Sequence, residues 1–274
     1  MAALDQIDRW DVPTVAAGVL GPDGLLAGRG PTDQAFPLAS VSKVLAAIAV
    51  HVAVEEGTVG LDDDVIDAGG PEGATVRHLL AHASGLPPDG DRTPLGPPER
   101  KRIYSNVGFE VLGDHVASRT GMAMTDYVRA ALVDPLGLGA TTIDGSPAHG
   151  YASSVDDLAS ILVAMHGGRL LAPSSIEAMT TPAFPDLAGV LPGYGAQDPN
   201  PWGLGVEVRG TKDPHWTAPA NSPETWGHFG RSGTFLWWDP TVGVGLVVLT
   251  DREFGQWAID AWPQLAADVV AEHG

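Results

Sequence analysis

Three short groups of residues have the types and spacing that covalent chemistry needs. In Leu38-Ala39-Ser40-Val41-Ser42-Lys43, Ser40 and Lys43 stand three apart. On a helix that spacing puts both side chains on one face, one turn apart. A lone serine hydroxyl is a weak nucleophile, so a neighbour must take its proton or stabilise its alkoxide. A desolvated lysine does either. Backbone N–H groups at a helix start also favour negative charge developing on a substrate oxygen. The second group is Tyr104-Ser105-Asn106. A tyrosine held partly as phenolate beside a lysine acts as a general base, and an asparagine amide can bond both the lysine and a substrate amide. The third is Trp226-Gly227-His228-Phe229-Gly230-Arg231-Ser232-Gly233, read as a strand. Its glycines would let a substrate backbone lie close, and its histidine would assist proton transfer. Singly, each group also has a plain structural reading: a serine cap with a lysine in the next turn, a capping turn with a buried tyrosine, and a core strand with an incidental histidine.

Periodicity supplies the elements that must position these residues. Thr14–Leu20, Gly-Pro-Asp-Gly and Leu25–Gly28 read as a β-hairpin. Helices are predicted over 41–56, closed by Gly57, and over 75–83, 106–120, 124–132, 155–165 and 174–180. Beyond Trp202 the pattern turns to strands at 203–209, 225–230, 234–239 and 242–250. A last amphipathic helix covers 256–272, with Pro263 kinking it or starting a second segment. Strands at both ends and helices between them predict an α+β fold. One mainly antiparallel sheet is built from both termini, with flanking helices and an inserted helical lobe. The expected division is 1–60 with 200–274 as the sheet lobe and 61–199 as the helical lobe, with the site in the crevice between them.

Composition narrows the chemistry. The 274 residues include no cysteine, which excludes disulfides, zinc-thiolate sites, iron–sulfur clusters and a cysteine nucleophile. Fifteen basic residues against 34 acidic leave a net charge of -19, which argues against nucleic-acid backbones and anionic membranes as partners. Apolar runs fall short of a membrane span. Asp5, Asp8 and Asp11 interrupt the N-terminal stretch where a secretory signal would lie, so a cytoplasmic location is expected. No phosphate loop, dinucleotide fingerprint or Gly-x-Ser-x-Gly elbow occurs. His78 and His82 are four apart but lack the His-Glu-x-x-His pattern, so no metal and no cofactor is expected. Asp62-Asp63-Asp64 reads as a solvated turn.

Ser40-x-x-Lys43, Tyr104-x-Asn106 and His228-x-Gly230 fall in the order seen in the serine β-lactamase and penicillin-binding-protein superfamily. The chain most resembles its class C β-lactamase-related branch, which also holds D-peptidases and esterases. Further likeness lies in 75–87, in Asp134-Pro135-Leu136-Gly137-Leu138 and in Leu236-Trp237-Trp238-Asp239-Pro240. The resemblance implies that Ser40 is acylated, that Lys43 and Tyr104 share the proton work, and that Asn106 orients Lys43 and substrate. It also implies an oxyanion hole from the backbone N–H groups of Ser40 and Arg231. Which of Lys43 and Tyr104 is the base stays open, since a coupled pair need not have one owner of the proton.

One departure bears on substrate. His228-Phe229-Gly230 stands where β-lactamases of the family usually carry Lys-Thr-Gly, so a fixed charge and a carboxylate-binding hydroxyl are gone. Phe229 offers an apolar ring if it faces the site, and Arg231 could restore a carboxylate partner. Only 144–149 separates two landmarks that are often further apart, which suggests a more open cleft. The expected activity is a serine hydrolase on a small ester or amide, with Gly230, Arg231 and Phe229 binding substrate. A D-peptidase or weak penicillin-binding hydrolase is the alternative, and a catalytically poor ligand-binding relative is a third reading. Trp202 or Trp216 is a candidate wall for an apolar acyl group.

Overall fold

A computed structural model describes residues 2–274. In chain order the strands are β1 (Val15–Gly21), β2 (Gly24–Arg29), β3 (Phe36–Pro37), β4 (Thr142–Ile143), β5 (Tyr151–Ser153), β6 (Gly189–Leu191), β7 (Gly195–Gln197), β8 (Glu207–Val208), β9 (Trp226–Gly230), β10 (Thr234–Asp239) and β11 (Val244–Thr250). The helices are α1 (Ser42–Glu55), α2 (Val76–Leu80), α3 (Asn106–Thr120), α4 (Met124–Val128), α5 (Asp134–Leu136), α6 (Val155–His166), α7 (Pro173–Thr180) and α8 (Gln256–His273).

The main sheet runs β2-β1-β11-β10-β9-β8, antiparallel throughout. β1 joins the C-terminal strands by pairing with β11, Val15 opposite Thr250 and Leu20 opposite Gly245. Its central strands are buried on both faces, which explains their near-continuous apolar sequences. Alternation along each strand sorts the residues. Ala17, Val19, Phe235, Trp237, Leu246 and Val248 pack beneath α8 and the N-terminal turn. Ala16, Leu20, Leu236, Trp238, Val247 and Leu249 face the helical side, where α1 is buried along nearly its whole length.

Several elements lie outside the sequence expectation. A 3-10 helix at Ala3–Arg9 packs on α8, where Gln6 Nε2 reaches Asp268 at 2.9 Å. Two small sheets, β3-β5-β4 and β6-β7, are too short to leave an alternation pattern. The predicted strand 203–209 shrinks to β8 because Gly203 and Gly205 hold a close-packed loop. A side chain on Gly203 would collide with the Met179 carbonyl, and Gly205 has φ +126° against Ala47. The helix predicted over 124–132 breaks into α4, a π-helical turn at Arg129–Val133 and α5. Pro263 lies inside α8, which continues through it as one helix. Among the described residues no helix is long and apolar enough to cross a membrane.

One contact fixes the segment that carries Ser40 against the sheet. Thr234 Oγ1 on β10 donates to the Leu38 carbonyl at 2.9 Å, and Leu38 N–H donates to the Tyr151 carbonyl at 2.9 Å. A Cβ on Gly230 would strike that same Leu38 carbonyl and come within 2.6 Å of Thr234 Oγ1. Gly230 is therefore required by the turn that packs on it. The Gly230→Ala variant is expected to lose about 1–3 kcal/mol of stability, read as a lowered thermal midpoint together with slower acylation of Ser40. An unchanged midpoint would mean that the turn does not press on β9.

Candidate active site

Ser40 lies in a single 3-10 turn, Ala39–Val41, that leads directly into α1. Ala39 just before it has φ +46°, an uncommon value for a residue with a side chain. That strain is held by Thr234 above and by β5 beside it, where Ser42 Oγ accepts from Tyr151 N–H at 3.1 Å. One turn on, Lys43 is fully buried. Its Nζ lies 2.6 Å from Asn106 Oδ1, 2.8 Å from the Ala148 carbonyl and 3.4 Å from Ser40 Oγ. It also sits 4.8 Å from the Tyr104 ring centre. Burial lowers the Lys43 amine to about 7, and the distant charges of Asp89 and Glu110 only partly oppose this.

Asn106 is held from both sides. Ser105 caps α3 by accepting from Gly108 N–H at 2.8 Å, and its own hydroxyl donates to the Pro87 carbonyl at 2.6 Å. Asn106 Nδ2 donates to Asp89 Oδ1 at 2.8 Å, which turns Oδ1 of the same amide towards Lys43. Neither Asp89 nor the Ala148 carbonyl was foreseen from sequence. Asp89 lies in a Pro- and Gly-rich loop with nothing to mark it, and a backbone carbonyl has no residue-type signature.

Burial pushes the Tyr104 hydroxyl well above its ordinary value, although a hydrogen bond with Ser40 opposes the rise. The phenolate form anticipated from sequence is thus disfavoured. Tyr104 Oη is 3.5 Å from His228 Nε2. His228 Nδ1 lies 2.7 Å from the Phe229 carbonyl, which can only accept, so Nδ1 carries the proton and Nε2 is an acceptor. Burial, then the nearby Lys43, holds the imidazole down to about 3. It is neutral at physiological pH and is no acid there.

Neighbours on β9 point to opposite faces. His228 shares the helical side with Tyr104 and Trp202. Phe229 instead packs among Trp262, Phe254 and Trp216 beneath α8, and only its remaining exposed part borders the Ser40 pocket. Arg231 also borders that pocket, yet its side chain is 84% exposed and lies 3.9 Å from Glu253. Gly230 faces the turn that carries Ser40, as described above. Of the two candidate tryptophans, Trp202 walls the pocket and packs edge-on against His82 at 4.6 Å. Trp216 lies on the far side and donates to Glu207 Oε2 at 2.8 Å. His78 and His82 are engaged separately: His78 Nε2 meets Glu99 Oε1 at 2.9 Å, and His82 Nδ1 accepts from Ser105 N–H at 3.1 Å.

The pocket that holds Ser40 has a volume of about 370 Å³. Glu207, unanticipated from sequence, contributes to its lining. Its carboxylate contacts Lys212 at 2.6 Å and His215 at 2.9 Å. Burial alone would raise Glu207, but these two partners outweigh it and leave the group ionised.

The interdependence of Asp89, Asn106 and Lys43 yields a test. Asp89→Ala frees the Asn106 amide and removes a charge that favours protonated Lys43. The expected result is a drop in kcat on the order of tenfold or more, with the rising limb of the pH–rate profile moved to lower pH. A lowered kcat with an unmoved profile would show that Asp89 serves the loop alone.

A family model described as Beta-lactamase matches residues 7–271. A crystal structure of a β-lactamase from Mycobacterium bovis superposes with a TM-score of 0.95 at 47% identity, over 99% of this chain and 99% of that one. Penicillin-binding protein 4* of Bacillus subtilis is 28% identical over 140 residues, 41% of this chain and 31% of that protein. The chain thus spans less than half the length of the curated relatives it matches. EstCE1, described as a hydrolase with promiscuous acyltransferase activity, shares the fold with a TM-score of 0.77 at 18% identity, over 98% of this chain and 96% of that one.

Proposed function

This chain belongs to the β-lactamase family of serine hydrolases, and we propose that within it the protein hydrolyses a small ester or amide through an acyl–Ser40 intermediate. One observation carries this reading: the buried Lys43 amine lies beside Ser40 Oγ with two other acceptors already in place. A neutral amine has two N–H bonds and one lone pair. The N–H groups donate to Asn106 Oδ1 and the Ala148 carbonyl, so the lone pair faces Ser40. An amine lowered to about 7 is substantially neutral at physiological pH and is the base that takes the serine proton.

Ser40 Oγ then attacks the substrate carbonyl. The backbone N–H groups of Ser40 and Arg231 stabilise the oxyanion. Tyr104, protonated at rest, gives its proton to the departing alcohol or amine and takes a replacement from the Lys43 ammonium. His228 Nε2 orients the Tyr104 hydroxyl and is a positioning group. In the second half, water gives a proton back along the same route and adds to the acyl carbon. Ser40 Oγ leaves with a proton restored, and the acid is released. The pocket draws on 89, 104, 106 and 191–193 from one part of the chain and on 40, 202, 207, 228, 229, 231 and 254 from the rest. This supports a crevice between the two proposed lobes, 61–199 on one side and 1–60 with 200–274 on the other.

The His228-Phe229 spelling leaves no lysine on β9 and turns the next ring away, which supports an ester or amide without an obligatory carboxylate at that strand. Likeness to the Mycobacterium bovis β-lactamase favours a β-lactam as the second reading. A single experiment separates them. Purified protein is incubated with a p-nitrophenyl ester, a labelled penicillin and a D-Ala-D-Ala peptide, with turnover and mass at Ser40 followed. Ester turnover with a Ser40 adduct is expected, together with loss of both in Ser40→Ala. Rapid penicillin turnover would establish the second reading, and ester turnover undiminished in Ser40→Ala would end both.

The pH dependence follows from the same amine. Because its folded value is depressed, Lys43 loses its proton as pH rises through about 7. kcat/KM is expected to climb with pH and level off above that value. A base that was instead the Tyr104 phenolate would place the rise far more alkaline. Tyr104→Phe should lower kcat on the order of 10²-fold while leaving the midpoint near that of the unmodified protein.

A further inference from the structure

A second cavity, about 500 Å³ in volume, adjoins the Ser40 pocket, and Tyr104 and Pro192 border both. Its walls are largely apolar, with Leu95, Ile103 and Val190 among them. Leu95 and Val190 are 64% and 52% exposed, an apolar surface that a soluble ligand would cover. Arg100 and Lys101 also line this cavity. The charge of -19 makes that placement informative. Arg29, Arg77, Arg92, Arg119 and Arg129 are all paired to carboxylates. Among the described residues, Arg100 and Lys101 have neither an ion pair nor a side-chain hydrogen bond. Two adjacent unpaired cations therefore face an apolar cavity on a molecule whose overall field repels anions.

We propose that this cavity receives the leaving-group side of the substrate, and that the group is an apolar segment ending in an anion, held by Arg100 and Lys101. The assignment to that side rests on the reading in which Tyr104 protonates the departing atom, because the cavity opens just beyond Tyr104. The substrate class is then an ester or amide whose alcohol or amine portion is an aliphatic or aryl carboxylate or phosphate. No residue of β9 lines this cavity, so this recognition is separate from the missing lysine there.

Two measurements test the proposal independently of each other. The first is calorimetric titration of octanoate and of neutral octanamide into Ser40→Ala protein. Octanoate is expected to bind roughly tenfold more tightly, with the difference shrinking at high salt and vanishing when Arg100→Gln and Lys101→Gln are added. The second compares two acetyl phenyl esters, one with a 2-carboxyethyl group on the ring and the other with the methyl ester of that group. The kcat/KM ratio of the anionic to the neutral ester is expected near ten in the unmodified protein and near one in the double variant. Equal binding of octanoate and octanamide overturns the proposal, as does a preference that survives the double substitution or ester turnover at a ratio of one. Selective octanoate binding without any ester turnover would instead retire the esterase reading and leave the anion-binding cavity standing.

Discussion

Lys43 carries its amine to a position with no solvent exposure, and among the described residues no carboxylate forms an ion pair with it. Burying an unpaired ammonium is among the costliest things a fold can do, and the system relieves the cost by favouring the neutral form. Neutrality is also what proton abstraction from a serine demands. Much of the local architecture exists to hold that amine. The Ser105 cap places Asn106 at the start of α3, and Asp89 turns its amide. On the other side, Ser146 Oγ accepts from Ala148 N–H at 3.2 Å and is itself held by Glu110. The short 144–149 segment thus supplies one of the contacts that hold Lys43.

The sheet sets the other half of the geometry. Its alternation puts His228 in the site and Phe229 under α8, so two neighbouring residues of one motif serve different cores. Arg102 links the parts. It is buried, yet it donates to the carbonyls of Ala81, Asn200, Ala183 and Phe184. Those bonds tie the segment before Tyr104 to the loop that carries Trp202. A guanidinium satisfied by backbone carbonyls brings no competing carboxylate towards Lys43. The Glu207 cluster behaves similarly, as a charged group kept inside by Lys212 and His215 rather than by solvent.

The turn that carries Ser40 is held by packing from several elements at once. Ala39 is held at positive φ because the Leu38 carbonyl is bound by Thr234 and because Gly230 leaves room for it. A strained residue beside a reactive one is stable only when its surroundings over-determine it. Here strand β10, strand β5 and the absent Gly230 side chain do so together.

Sequence alone marked the candidate residues that the fold brings together around one pocket. Ser40, Lys43, Tyr104, Asn106 and His228 were legible because residue type and order encode them. The antiparallel sheet from both termini was legible because period-two and helical patterns survive in long elements. Short strands such as β3 to β7 left no such pattern, and glycines at 203 and 205 read as strand when they serve a tight loop. Protonation and direction belonged to the tertiary structure. Burial decided that Lys43 is poised near neutrality and Tyr104 is not, strand parity decided that Phe229 turns away, and backbone carbonyl and loop placement decided that Ala148 and Asp89 complete the site. Solvation and facing depend on what surrounds a side chain in space, and adjacency along the chain does not record it.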